Sequence, residues 1–236
     1  MTNNIDKSFD QKFSKISPSF IWLPWVGQNY LHSNKKLLII GESHYDSEGR
    51  DGDLEFLDCI RWFVQAVGID GTNNTQPLIR NTERALFDNK NPTDNSKIKL
   101  WNSVVYHIMV QKILESIQER PTNEDFLNGW DLFFKLVDIV KPDSCLFCGV
   151  ASANFNGAFM EAATKNNFKA NNIQAGLKVG NVASRSTRIS KDNDIDCKIV
   201  FIRHPSQYFK WDKWSKIIDA EISDYSKWLK ENQQAT

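Results

Sequence analysis

The run Lys35-Lys36-Leu37-Leu38-Ile39-Ile40-Gly41-Glu42-Ser43-His44-Tyr45 constrains this chain more than any other stretch. Four consecutive apolar residues stop at a glycine. That is the pattern of a short strand buried on both faces, as inside an α/β sheet. Ligands of open α/β sheets bind beyond the carboxyl ends of the strands, so Gly41, Glu42, Ser43, His44 and Tyr45 fall where such a fold keeps its site. The stretch Lys198-Ile199-Val200-Phe201-Ile202-Arg203-His204-Pro205-Ser206 repeats the design. The two strand ends are expected to face one pocket.

The rest of the chain supplies helices for that sheet. Apolar residues recur at helical spacing from Leu54 to Val67, with Gly68 to Asn74 as the stop. Leu100 to Ile117 reads either as one helix or as a strand over Val104–Val110. Thr122 is an N-cap for a helix reaching Val140, ended by Lys141-Pro142-Asp143. Ser144–Gly149 is a strand, residues 151–166 a helix, residues 171–196 irregular with a basic turn, and residues 212–231 an amphipathic closing helix. Residues 1–18 read as a loose polar segment, residues 20–27 as an aromatic brace, and residues 88–97 as a polar loop. The 236 residues show no linker or repeat and suit a single domain. Strands alternating with helices predict a three-layer α/β/α sandwich with a mostly parallel central sheet.

Composition limits the function classes. Lysine plus arginine number 29 and aspartate plus glutamate number 29, so no basic coat for nucleic acid exists, although a local basic groove is compatible with that balance. No apolar run approaches a membrane span, and Met1-Thr2-Asn3-Asn4-Ile5-Asp6 lacks a signal-peptide pattern, so a cytoplasmic protein without membrane contact is expected. Cys145 and Cys148 form a C-x-x-C inside a strand pattern. With Cys59 and Cys197 they match no standard metal-ligand spacing and read as buried thiols; no metal or cofactor is expected.

These residues resemble the uracil-DNA glycosylase superfamily, as a divergent branch of it. In uracil-DNA glycosylases a first strand ends Gly-Gln-Asp-Pro-Tyr and a later one ends His-Pro-Ser; here the strands end Gly41-Glu42-Ser43-His44-Tyr45 and His204-Pro205-Ser206. Between them, Gly129-Trp130 opens a helix that ends near Lys141-Pro142-Asp143, followed by the strand to Gly149, in the family's order. The departures concern the chemistry. The family's water-activating Asp falls on Ser43, its Gln on Glu42 and its Pro on His44. Tyr45 matches the Tyr that blocks bases carrying a bulky group at C5, and the position of the family's intercalating Leu falls on Tyr208.

The resemblance implies a monofunctional, cofactor-free DNA glycosylase that hydrolyses the N-glycosidic bond of a flipped-out base and leaves an abasic site. The departures favour a modified or damaged pyrimidine over plain uracil, such as a modified cytosine in foreign or phage DNA. Glu42 is the candidate for positioning water or stabilising the sugar cation, and His204 the neutral donor to the departing base. Tyr45 and Phe56 are candidate pocket walls and Tyr208 a candidate wedge. Ser152, Arg185, Arg188, Ser206 and Gln207 are candidates for phosphate contact. The base-reading Asn of the family has two competitors: Asn102, in Leu100-Trp101-Asn102-Ser103, and His107, in the better strand pattern. DNA is the expected partner, with no obligatory protein partner. Two other readings stay open: a serine hydrolase using Ser43 in a G-x-S-x-Y variant of the nucleophile elbow, and a non-catalytic nucleic-acid-binding module of the same fold.

Overall fold

The computed structural model describes residues 4–16, 20–45, 57–71, 76–116, 118–206 and 208–234. Its centre is four parallel strands: β2 (Leu37–Gly41), β4 (Val104–Ile108), β6 (Ser144–Cys148) and β10 (Ile195–Ile202), side by side in the order β4-β2-β6-β10. Every residue of β2, β4 and β6 is buried, as expected for strands covered on both faces. Side chains alternate between the faces. Leu38 and Ile40 enter one core, with Val105, Phe147 and Phe201; Leu37 and Ile39 enter the other, with Tyr106, Leu146 and Val200.

Helices α1 (Asp10–Ser14), α5 (Asn123–Val140) and α6 (Asn156–Lys165) pack on the first face. On the second lie α2 (Cys59–Phe63, continued as a π turn over Val64–Ile69), α3 (Pro77–Phe87), α4 (Asp94–Ser103), α7 (Trp211–Glu221) and α8 (Ser223–Gln234).

The sheet is mixed rather than mostly parallel. β1 (Trp25–Val26) runs antiparallel along β4. β9 (Val182–Lys191) runs antiparallel to β10, and β7 (Lys169–Ala170) and β8 (Gln174–Val179) run antiparallel to β9. The stretch read as irregular is thus largely a hairpin. Its outer strand β8 is exposed along five of its six residues, so it carries no buried face and no apolar alternation for a sequence pattern to show. β3 (His44–Tyr45) and β5 (Ile113–Leu114) form a separate parallel pair.

Several local expectations change in the same way. The N-terminal segment is anchored, because Phe9 and Phe13 are buried in the first core. The ambiguous stretch resolves into both alternatives: α4 ends at Ser103 and β4 begins at Val104. Part of the polar loop at 88–97 is the first turn of α4, capped by the Thr93 hydroxyl, which accepts from the Ser96 N–H. The closing helix is two helices that meet at Ile222.

Helix α5 is fixed at its start by a reciprocal capping box: Thr122 Oγ1 accepts from the Asp125 N–H, and the Asp125 carboxylate accepts from the Thr122 N–H at 2.8 Å. Gly129-Trp130 therefore lies inside this helix rather than opening it. Gly129 permits close approach to the chain leaving β4, since a Cβ there would sit 2.8 Å from the Met109 carbonyl oxygen.

One core carboxyl makes stability depend on pH. Glu83 of α3 is 4% exposed and accepts a 2.8 Å hydrogen bond from Trp101 Nε1. Burial pushes its pKa up to about 7. A folded-state pKa above the unfolded value means the native state keeps a proton that the unfolded chain has lost. The stability therefore falls as pH rises from the ordinary carboxyl pKa to about 7, by roughly 3 kcal/mol. Glu83→Gln, which keeps an oxygen for Trp101, is expected to flatten that decline and to be the more stable protein at pH 8. Denaturant melts of both proteins from pH 5 to 8 measure it; parallel curves would contradict the assignment.

Candidate active site

The register of the parallel strands sets the site. Gly41 pairs with both Ile108 and Cys148, and Cys148 pairs with Ile202, so the four strands end at one level. The segments that follow, residues 42–45, 109–116, 149–152 and 203–206, emerge at the same end of the sheet. The two motifs on β2 and β10 are separated by one strand, β6, and the chain leaving β6 contributes to what lies between them.

Glu42 continues the line of β2, its carbonyl accepting from the Val110 N–H at 3.1 Å. Its half-buried carboxylate lies beside the Ala151 backbone N–H, which favours its ionised form. Gly149 makes this possible: its φ is +153°, and a Cβ there would stand 2.5 Å from Glu42 Oε2. Burial raises the Glu42 pKa; the Arg120 charge and the Ala151 N–H oppose that rise. Gly149→Ala is expected to displace the carboxylate and cost activity out of proportion to any loss of stability. Activity compared with the melting temperature checks this; full activity would show that Glu42 tolerates the shift.

His204 sits on the turn leaving β10, half-buried. The Ser206 backbone N–H points at its Nδ1 at 3.3 Å, and Ser206 Oγ lies 2.7 Å from the same nitrogen. A backbone N–H can only donate, so Nδ1 is an acceptor and the neutral ring carries its proton on Nε2. Burial, and next the Arg120 charge, lower the His204 pKa to about 4, so this tautomer holds at neutral pH. Asn81 of α3 braces the turn by donating to the Pro205 carbonyl at 2.7 Å.

Tyr45 and His44 occupy β3. The Tyr45 hydroxyl accepts from Arg120 Nη1 at 3.4 Å, and the His44 ring lies 5.6 Å from that of Trp22. Ser43 is half-buried between Glu42 and this pair. Tyr208, just past the second motif, is 86% exposed with φ +50°, and the Arg203 guanidinium lies 5.7 Å from its ring centroid. A left-handed tyrosine with an exposed ring is an unusual backbone state, of the kind kept at functional loops.

The two candidates for reading a base are placed at opposite ends of β4. Asn102 is in the last turn of α4, at the amino end of the parallel strands, where its carbonyl accepts from the Asn29 N–H. A cleft of about 420 Å³ beside Lys99, Ser103 and Trp228 opens at that end, away from Glu42 and His204. His107 is one residue from the carboxyl end of β4, opposite Ile40, and only 2% exposed. Gln111 fixes its tautomer. Gln111 Oε1 accepts from the Ile21 and Trp22 N–H groups, and its Nε2 donates to the Ile108 carbonyl and faces His107 Nε2 at 3.2 Å. His107 Nε2 is therefore the acceptor, and its buried Nδ1–H has no hydrogen-bond partner among the described residues. Burial lowers its pKa to about 3.

The remaining candidates divide. Ser152 is buried at the start of a short 3₁₀ turn following β6, close to Ala151. Arg185 pairs with Phe201 near the site end of β10, whereas Arg188 pairs with Lys198 in the middle of the strand and is ion-paired with Asp196. Phe56 and Gln207 lie outside the described residues. Cys145 and Cys148 enter opposite cores, so they cannot share one ion. Among the described residues no group of three or more His, Cys, Asp or Glu side chains could hold a metal, and no helix is long and apolar enough to cross a membrane.

Arg120, Gly149, Ala151, Asn81 and Gln111 belong to the site but not to the motifs. Only Gly149 carried a sequence signal, as a glycine closing an apolar run. No protein-family model matches the chain, and no curated protein matches its sequence.

Proposed function

We propose that this chain is a uracil-DNA glycosylase-like enzyme that hydrolyses the bond between deoxyribose and a flipped-out base, a modified or damaged pyrimidine more readily than uracil. The observation that carries this reading is the pairing, at one end of a parallel sheet, of a half-buried carboxylate with a neutral histidine whose proton is held on Nε2 by its neighbours.

Cleavage of an N-glycosidic bond passes through a sugar that resembles an oxocarbenium ion and a base that leaves with the bonding electron pair. Each charge needs a fixed counterpart. Glu42 stabilises the cationic sugar and orients the water that adds at C1′, accepting its proton. The His204 Nε2–H donates to the carbonyl oxygen on which the departing base's negative charge gathers. Tyr208, exposed on its strained turn, is suited to fill the gap left in the stack, and Tyr45 to line the pocket. Ser43 at the position of the family's Asp, with Glu42 next to it, is the feature that separates the substrate from plain uracil.

The histidine geometry disfavours a serine hydrolase. A Ser-His-acid triad needs Nδ1–H donating to a carboxylate, whereas His204 Nδ1 accepts from Ser206.

The test is strand scission by alkali after incubation with end-labelled oligonucleotides carrying uracil, mismatched thymine, hypoxanthine, or hydroxymethylated or glucosylated cytosine. Cleavage at a modified pyrimidine is the expected result. Cleavage at uracil alone would overturn the substrate assignment, and tight DNA binding with no scission anywhere would favour the non-catalytic module.

A further inference from the structure

Among the described residues no carboxylate lies within ion-pair distance of Arg120, although Glu42 senses its charge. The two acids closest to it in sequence are engaged elsewhere. Glu119 takes Lys112 Nζ at 3.0 Å and the Glu115 N–H at 2.6 Å, and Asp125 takes the Thr122 hydroxyl and N–H. Arg61 and Arg188, by contrast, are each paired with aspartate. Among the described residues, Arg120 makes one hydrogen bond, the long 3.4 Å contact to the neutral Tyr45 phenol.

Its position is nevertheless well defined. Pro121 restricts the Arg120 backbone to extended conformations, and the capping box at Thr122 fastens the chain one residue further on. The guanidinium is thus exposed, on a stiff turn, at the rim of a site whose carboxylate and imidazole both sense its charge. A guanidinium offers a planar fork of donors that matches the oxygens of a phosphate. A departing base would lie deeper, in the drier part of the site, whereas the backbone of a bound strand runs along the rim.

We propose that Arg120, together with the Tyr45 hydroxyl, binds a phosphate of the substrate strand next to the flipped nucleotide. This rests on the glycosylase reading and adds a strand contact to it. The same cation has a second effect. Its field favours the ionised form of Glu42 and the neutral form of His204, the two states the hydrolysis requires.

The test is binding of a single-stranded oligonucleotide with a central tetrahydrofuran abasic analogue, which cannot be turned over, measured by fluorescence anisotropy across a range of salt. For Arg120→Gln, the slope of log Kd against log salt is expected to fall by about 0.7, the value for one lost phosphate contact on a single strand. Affinity at low salt is expected to fall about tenfold, and Arg120→Lys to recover the slope but only part of the affinity. In the free protein, the NMR titration of the His204 ring is expected to move to higher pH in Arg120→Gln. If wild type excises a base and binds the analogue while Arg120→Gln keeps its slope and affinity, the phosphate role is overturned and the glycosylase reading stands. A wild type that neither binds nor excises overturns both.

Discussion

Glu42→Gln is expected to slow base excision by about 10²–10⁴-fold, the usual range for loss of a positioned acid–base group, without unfolding the protein. The substitution is nearly isosteric. The amide oxygen can still face the Ala151 N–H, and the clearance above Gly149 is preserved. What disappears is the negative charge facing the sugar cation and the site that accepts a proton from water. Stability should hold or rise slightly, because burial disfavours the charge that is removed. Single-turnover rates and a thermal melt on the same preparation separate the two effects. Activity within a fewfold of wild type would remove Glu42 from the mechanism.

The pH profile follows from the same residue. Glu42 must be ionised and burial raises its pKa, so the acid limb of the rate should lie at a higher pH than a solvent-exposed glutamate would set. His204 stays neutral down to about 4 and does not set that limb.

Trp130→Ala is expected to cost about 3–5 kcal/mol of stability, the range for emptying a buried aromatic site. Trp130 is fully buried, with the rings of Phe159, Phe147, Phe133 and Phe201 at 4.9, 5.3, 5.4 and 6.2 Å between centroids. These residues join α5 and α6 to β6 and β10, so a cavity there loosens the layer beneath the site. Among the described residues the indole Nε1–H has no hydrogen-bond partner, and Trp130→Phe, which removes that buried donor, should cost far less than Trp130→Ala. Urea midpoints of the three proteins decide this. Equal losses for Phe and Ala would mean that the indole's full volume is indispensable.

The central strands were legible in the sequence for a physical reason. A parallel strand covered on both faces must be apolar throughout, so Leu37–Ile40 and Ile199–Ile202 announce themselves, and the polar turns after them mark the site. Thr122 was legible because a helix start needs a side-chain acceptor. Helix α3 was missed because Thr82 and Glu83 are among its buried residues, which breaks the apolar period. The choice between Asn102 and His107 needed the direction of β4, which spacing alone does not supply. Arg120 was invisible because it belongs to no motif. Its relation to Glu42 and His204 exists only once three strand ends are brought to one level.

The most direct test of the account is product analysis by mass spectrometry, after wild type and Glu42→Gln are each incubated with an oligonucleotide carrying one modified cytosine. The expected result is the intact free base together with a full-length strand that carries an abasic site with one oxygen from labelled water at C1′, from wild type alone. Recovery of the unchanged oligonucleotide, or of a strand cut without release of a base, would contradict the account.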